Sequence, residues 1–200
     1  MSKLLLASNN QGKLKEIQAL LQDLDIKLLT PAELGISLDV DETGTTYAEN
    51  AALKGRAFAQ ASSLLTLSDD SGLEVDALGG LPGLHSARFA PQPGASDADR
   101  RAYLLQQLHG KPRPWTACFR CLIALATPAG DVQLAEGICP GEIIPDERGH
   151  NGFGYDPLFL IPELGRTMAE LDMESKNRLS HRARAVQAAR PMLIQILADS

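Results

Sequence analysis

The chain is short of several things that would otherwise declare its class. It has 3 cysteines and 4 histidines in 200 residues, and 19 Lys and Arg against 25 Asp and Glu, for a formal charge of −6. So few cysteines, in odd number, exclude a disulfide framework and fit a reducing compartment. The basic residues are scattered except in the last quarter, which argues against duplex nucleic acid as a partner. No apolar run reaches the length of a membrane span, and Lys3-Leu4-Leu5-Leu6-Ala7 is too short and too soon interrupted for a secretory signal. A soluble, cytoplasmic protein with no membrane partner is the expectation. The pattern Gly-x-x-x-x-Gly-Lys-Ser/Thr is also missing, which excludes a P-loop ATPase.

Cys118 and Cys121 stand in Cys-x-x-Cys spacing, but inside the apolar, strand-like run Trp115 to Thr127. Strand residues three apart face opposite sides of a sheet, so the pair cannot chelate or form a dithiol without a turn. All the cysteines, Cys139 included, read as buried core thiols.

What is present is enough for one globular domain, since 44% of the residues are hydrophobic. Lys3 to Ser8 reads as a strand, and Leu14, Ile17, Leu20, Leu21 and Leu24 follow at helical spacing. Ile26 to Leu29 is a second strand, Thr46-x-x-Glu49 a capping box opening a helix to about Ala61, and a third strand ends at Asp69. After the turn-rich Leu78 to Pro93 segment, Asp97 to Leu108 is helical. Trp115 to Thr127 and Val132 to Ile144 form an antiparallel hairpin around Pro128-Ala129-Gly130-Asp131. Ser180 to Ala198 is helical, with Pro191 expected to kink it or start a new turn. The fold class is mixed α/β.

Chemistry concentrates in four places. Ser68-Asp69-Asp70-Ser71-Gly72 follows the apolar Leu64, Leu65 and Leu67. Adjacent strand residues face opposite sides, so its two carboxylates do different work, although a plain turn has the same composition and is an equal reading. Ser8-Asn9-Asn10-Gln11-Gly12-Lys13 sits between a strand and a helix N-terminus, where free N–H groups and the dipole suit a phosphate chain. Taken alone, an ordinary cap from Ser8 or Asn10 is the simpler reading of that loop. Gly149 to Pro157 is glycine-rich and carries Phe153, Tyr155 and Asp156. Its aromatics offer stacking faces to a flat ligand, or else fold back as a small satellite core. Lys176 and Ser180-His181-Arg182 gather donors for carbonyl or phosphate oxygens, although a lone His-Arg pair is commonly a solvated helix face.

In their order, SNNQGK, SDDSGLEVDALGGLPGLHSAR, GFGYDPLF and SHR resemble the Ham1/inosine triphosphate pyrophosphatase family in its bacterial subgroup, over nearly the whole chain. The family often has Thr-Gly-Asn where this chain has Ser8-Asn9-Asn10, and glycine where it has Ala183. The resemblance implies a two-lobed single domain over residues 1–200, with a long central mixed sheet flanked by helices, a cleft between lobes and a homodimer. It also implies Mg²⁺-dependent hydrolysis of non-standard purine nucleoside triphosphates (ITP, dITP, XTP) to the monophosphate and pyrophosphate. By that resemblance, Ser8, Asn9, Asn10, Gln11, Gly12 and Lys13 hold the triphosphate. Asp70 is proton acceptor and metal ligand, Glu42 a second metal-site acid, and Ser71 a substrate contact. Phe153, Gly154, Tyr155 and Asp156 hold and stack the purine, and Lys176, His181 and Arg182 read the base.

Those assignments agree with the chemistry of the residue types. Magnesium prefers carboxylate, phosphate and water oxygens, and no clustered histidine set is needed for it. A 6-oxo purine presents an acceptor to donor side chains where adenine presents a donor. A Maf-like pyrophosphatase of modified pyrimidine nucleotides is the nearest alternative, but is not expected to carry GFGYDP together with SHR. A nucleotide-binding sensor without turnover is the alternative from another class.

Overall fold

The computed structural model describes residues 2–199. Its centre is a seven-stranded sheet in the order β2-β1-β3-β4-β5-β6-β7, made of β1 (Ser2–Leu6), β2 (Ile26–Leu29), β3 (Thr66–Val75), β4 (Trp115–Ala126), β5 (Val132–Ile143), β6 (Phe159–Ile161) and β7 (Arg166–Thr167). β1 pairs in parallel with β2 and β3, whereas β6 is antiparallel to β5 and β7, so the sheet is mixed. Thr127 N–H bonds Asp131 O across the connection between the adjacent β4 and β5, a tightness that only an antiparallel pair allows. Five helices accompany the sheet among the described residues: α1 (Gln11–Leu21), α2 (Tyr47–Ser62), α3 (Asp97–Leu108), α4 (Met173–Leu179) and α5 (His181–Ala198). None is long and apolar enough to cross a membrane.

By internal contacts the chain forms two compact units. The first takes the chain up to Asp70, Cys121–Gly137 and the segment from His181 onward. In it Leu4, Leu6 and Leu67 pack with Ile123 and Leu125, with Leu14, Ile17 and Leu21 of α1, and with Ala185, Val186 and Leu193 of α5. Leu5, Ala7 and Phe58 form a smaller cluster. Alternation of side chains along the strands thus gives β1 two separate apolar contacts. Gly137 admits the start of α5, because a Cβ there would lie 2.2 Å from His181 O and 2.3 Å from Ala185 N. The second unit takes Ser71–Arg120 and Ile138–Ser180. Leu73, Val75, Leu104, Leu108, Phe119 and Phe159 are prominent in its core, with the Phe119 and Phe159 rings 4.4 Å apart.

Several expectations change. β3 does not stop at Asp69. It runs on through Ser71 and Gly72 to Val75 because Leu73 and Val75 are wholly buried and keep the chain extended. Lys176 lies on the short α4, whose cap Asp172 accepts Ser175 N–H at 2.7 Å, whereas α5 is helical through Pro191 as the pattern implies. The capping box at Thr46 and Glu49 forms as expected. Cys121 and Cys139 are core thiols, with burial pushing Cys121 up to about 12, but Cys118 is only partly buried and lies against Glu74.

Candidate active site

In the first unit, the loop between β1 and α1 brings a cation to the carboxylates of β3. Asn10 caps α1, its Oδ1 accepting Lys13 N–H at 3.1 Å while its own N–H bonds Ser8 Oγ at 3.2 Å. Ser8, Asn9, Asn10, Gln11 and Gly12 therefore surround the first turn, where helix N–H groups lack intrahelical acceptors. Lys13 reaches from that turn to Asp69 Oδ2 at 3.0 Å.

Asp69 and Asp70 separate as strand alternation requires. Asp69 faces α1 and α5: its Oδ2 also accepts Arg182 Nε and Nη2, each at 3.3 Å, and Arg182 in turn pairs with the buried Glu16. Burial by itself would raise the Asp69 pKa, but Lys13, Arg182 and Lys54 overcome it and hold the carboxyl well below its ordinary range. Asp70 and Ser68 face α2 instead. Ser68 donates to Ala51 O at 2.7 Å, and Asn50 Nδ2 donates to Asp70 Oδ2 at 3.2 Å. Asn50 Oδ1 accepts Gly44 N–H at 2.8 Å, so one amide ties the 42–44 loop to Asp70. One turn further along α2, Lys54 meets Glu42 at 2.8 Å and donates to Asp69 O at 3.0 Å. The Asp70 carboxyl is pushed up, first by burial and then by Glu42, against the opposing pull of Lys13 and Lys54.

The second unit holds the glycine-rich loop. Lys176 Nζ meets Asp156 Oδ2 at 2.6 Å, both side chains being about 5% exposed or less, and lies 5.3 Å from the centre of the Phe153 ring. The same oxygen accepts Phe153 N–H at 3.0 Å. Gly152, at φ +76°, allows this closure, since a Cβ there would lie 2.0 Å from Asp156 Oδ2. Tyr155 corrects the expected stacking pair. Its ring packs in the core and its hydroxyl donates to Ser86 O at 2.9 Å, which leaves Phe153 as the partly exposed ring.

The structure thus brings Lys13, Asp69 and Arg182 together in one unit, with Glu42 and Asp70 joined through Lys54 and Asn50. In the other it brings together Phe153, Asp156 and Lys176. His181 and Arg182 open α5 in the first unit, Lys176 belongs to the second, and Ser71 follows Asp70 directly on β3. Arg182 is buried with its guanidinium already bound to Glu16 and Asp69, unlike a solvated helix face. Glu16, Asn50 and Lys54 escaped sequence reasoning. The available signal was a polar side chain on an apolar helix face: Glu16 between Leu14 and Ile17, and Asn50 and Lys54 one turn apart among alanines. Among the described residues, no three His, Cys, Asp or Glu side chains form a metal-binding group.

Residues 4–192 match the model of the Ham1 family. The chain belongs to the Ham1 family. It is 48% identical to the dITP/XTP pyrophosphatase of Desulforamulus reducens over 192 residues, covering 96% of this chain and 95% of that protein. It is 45% identical to the dITP/XTP pyrophosphatase of Nostoc sp. over 203 residues, covering 100% and 99%. A HAM1 protein from Coxiella burnetii has the same architecture, with TM-score 0.86, 40% identity and full coverage of both chains. The Ham1 protein of Staphylococcus aureus follows at TM-score 0.85 and 39% identity, covering 97% of this chain and 99% of that one. The family assignment favours the purine reading of the motifs over the Maf-like one.

Proposed function

We propose that this Ham1 protein is a nucleoside triphosphate pyrophosphatase that hydrolyses ITP, dITP and XTP to the monophosphate and pyrophosphate, with Mg²⁺. The observation that carries this reading is the Lys13–Asp69 contact, which joins a helix N-terminus suited to phosphate with the strand that bears Asp70.

The residues fit a magnesium ion. Asp70 and Glu42 are carboxylates close enough for the negative charge of Glu42 to disfavour that of Asp70, a repulsion that a cation between them would relieve. Such oxygen donors, completed by phosphate and water, suit a small hard dication better than a histidine or thiolate set would. Asp70 and Glu42 would hold it. When bound, the ion supplies Lewis acidity and neutralises phosphate charge.

The chain's own groups do the rest. Lys13 and the first-turn N–H groups of α1 bind the departing pyrophosphate oxygens, and Asp70 takes the proton of the water that attacks the α phosphorus. A carboxylate that also holds the metal would have its basicity lowered, so Asp70 serves to orient that water as well as to accept its proton. Phe153 stacks on the purine, with Gly154 and Asp156 shaping the loop and Tyr155 anchoring it. Lys176, His181 and Arg182 supply donors to the oxo groups of the base, Arg182 being oriented in advance by Glu16 and Asp69. Adenine would set donor against donor at the same place, so ATP is refused. The resemblance further supports a homodimer acting on small-molecule nucleotides in the cytoplasm, with no nucleic-acid or membrane partner. Light scattering tests the dimer.

The deciding experiment incubates the protein and Mg²⁺ with dITP, ITP, XTP, ATP and GTP and identifies the products. Pyrophosphate from the first three and little from ATP is expected. Orthophosphate as first product, equal turnover of ATP, or binding without turnover would overturn the reading, the last in favour of a sensor.

A further inference from the structure

Two charged side chains of α3 close on a single residue of the glycine-rich loop. Asp97 Oδ2 accepts Gly154 N–H at 2.7 Å, and Arg101 Nη1 donates to Gly154 O at 2.9 Å. The two are four residues apart on one helix face, and the Ser96–Asp99 capping box fixes where that helix begins. Arg101 is itself oriented by a two-point pair with Glu147, at 2.8 and 3.0 Å. Gly154 stands at φ +62°, in the left-handed region that glycine enters freely, and both of its backbone polar atoms are bonded to charged groups.

Phe153 lies directly before this residue, and its own N–H is held by Asp156. The backbone is therefore fixed from α3 on one side of the ring and from Asp156 on the other. A stacking face adds affinity to the extent that its freedom is lost before the ligand arrives.

We propose that Asp97 and Arg101, with Glu147 behind Arg101, are positioning residues that clamp Gly154 and so hold the Phe153 ring ready for the base. The proposal rests on the assignment of Phe153 to the purine. A role confined to stabilising α3 would show in thermal stability and leave the loop and the ring-binding step alone.

The test compares Asp97→Ala, Asp97→Asn and Arg101→Ala with the parent protein by amide hydrogen exchange over residues 152–155, steady-state kinetics on dITP, inhibition by inorganic tripolyphosphate, and Tm. Faster exchange at Gly154 is expected in both alanine variants, with KM for dITP raised roughly three- to tenfold and kcat nearly unchanged. Inhibition by tripolyphosphate, which has no ring, stays at the parent value. Asp97→Asn keeps an acceptor oxygen and restores most of the parent KM. Parent-like exchange in both alanine variants overturns the clamp, and so does faster exchange without a change in KM. Weaker tripolyphosphate inhibition in parallel with the rise in KM overturns it as well, because a clamp on the ring leaves a ligand without a ring unaffected. If Asp97→Ala does not fold, Arg101→Ala decides by the same readings. Exchange needs no substrate, so failure of the clamp is distinguishable from failure of the purine reading, which would appear as a parent protein inactive on dITP.

Discussion

Lys176 meets Asp156 at 2.6 Å in one unit and Lys13 meets Asp69 at 3.0 Å in the other, but the two pairs keep different company. Asp156 Oδ2 serves one lysine and the N–H of Phe153, three residues back, inside a loop that Gly152 allows to close. Asp69 Oδ2 is shared between Lys13 and Arg182, Arg182 is shared with Glu16, and Lys54 bonds the Asp69 carbonyl while pairing with Glu42. A pair whose carboxylate also holds the backbone of its own loop fixes a shape. A shared set can release a cation without leaving a buried charge uncompensated, because Asp69 keeps Arg182 when Lys13 turns to a phosphate. The first arrangement suits a fixed platform for a ring, and the second suits a polyanion that arrives and leaves.

The sharpest break of this contrast is Asp70→Asn. It should lower kcat by about a hundredfold or more while substrate binding, measured by calorimetry, is largely retained. Retained turnover would move the proton acceptor elsewhere in the cluster. Next in size, Arg182→Ala leaves Asp69 and Glu16 buried without their shared partner. A loss of about 3–5 kcal/mol in denaturant unfolding is expected, with Arg182→Lys recovering part of it. A change within experimental error would mean that Lys13 and Lys54 alone satisfy Asp69. In the other unit, Phe153→Ala should raise KM for dITP about tenfold and leave tripolyphosphate inhibition unchanged, with Phe153→Tyr close to the parent.

The smallest effect is in pH. Asp69 has its carboxyl held below the ordinary 3.8, so its stabilising contribution is present above that value and disappears as pH falls through the lower, folded one. The Tm difference between the parent and Asp69→Asn should therefore stay constant at mildly acidic pH and shrink only below about pH 4. Asp70, shifted the other way by burial and Glu42, should titrate above the ordinary carboxylate range in the protein without Mg²⁺. A titration at or below that range in the metal-free protein, read by carboxyl-carbon NMR, would contradict the burial of Asp70 beside Glu42.

Features that lie within a few residues of one another were legible in the sequence. The capping box of α2, the span of α3 and the Asn10 cap of α1 rest on local chemistry and form as read, although α1 begins at Gln11. The end of β3 was misread because Ser71-Gly72 has the composition of a turn, whereas burial of Leu73 and Val75 decides its conformation. β7 and α4 are too short to show a period. The pairing of Asp69 with Lys13 and of Asp156 with Lys176 drew on motifs already noticed, but Glu16 finds Arg182 from 166 residues away, and no local pattern announces that. Tyr155 and Phe153 look alike in sequence, and only packing shows which ring is core.

In the proposed reaction, water attacks the α phosphorus beside Asp70. Hydrolysis of dITP in heavy-oxygen water, with both products analysed by mass spectrometry, tests it most directly. The label should appear in the monophosphate and be absent from the pyrophosphate, and Asp70→Asn should yield almost neither product. Label in the pyrophosphate would place the attack at the β phosphorus and contradict the account.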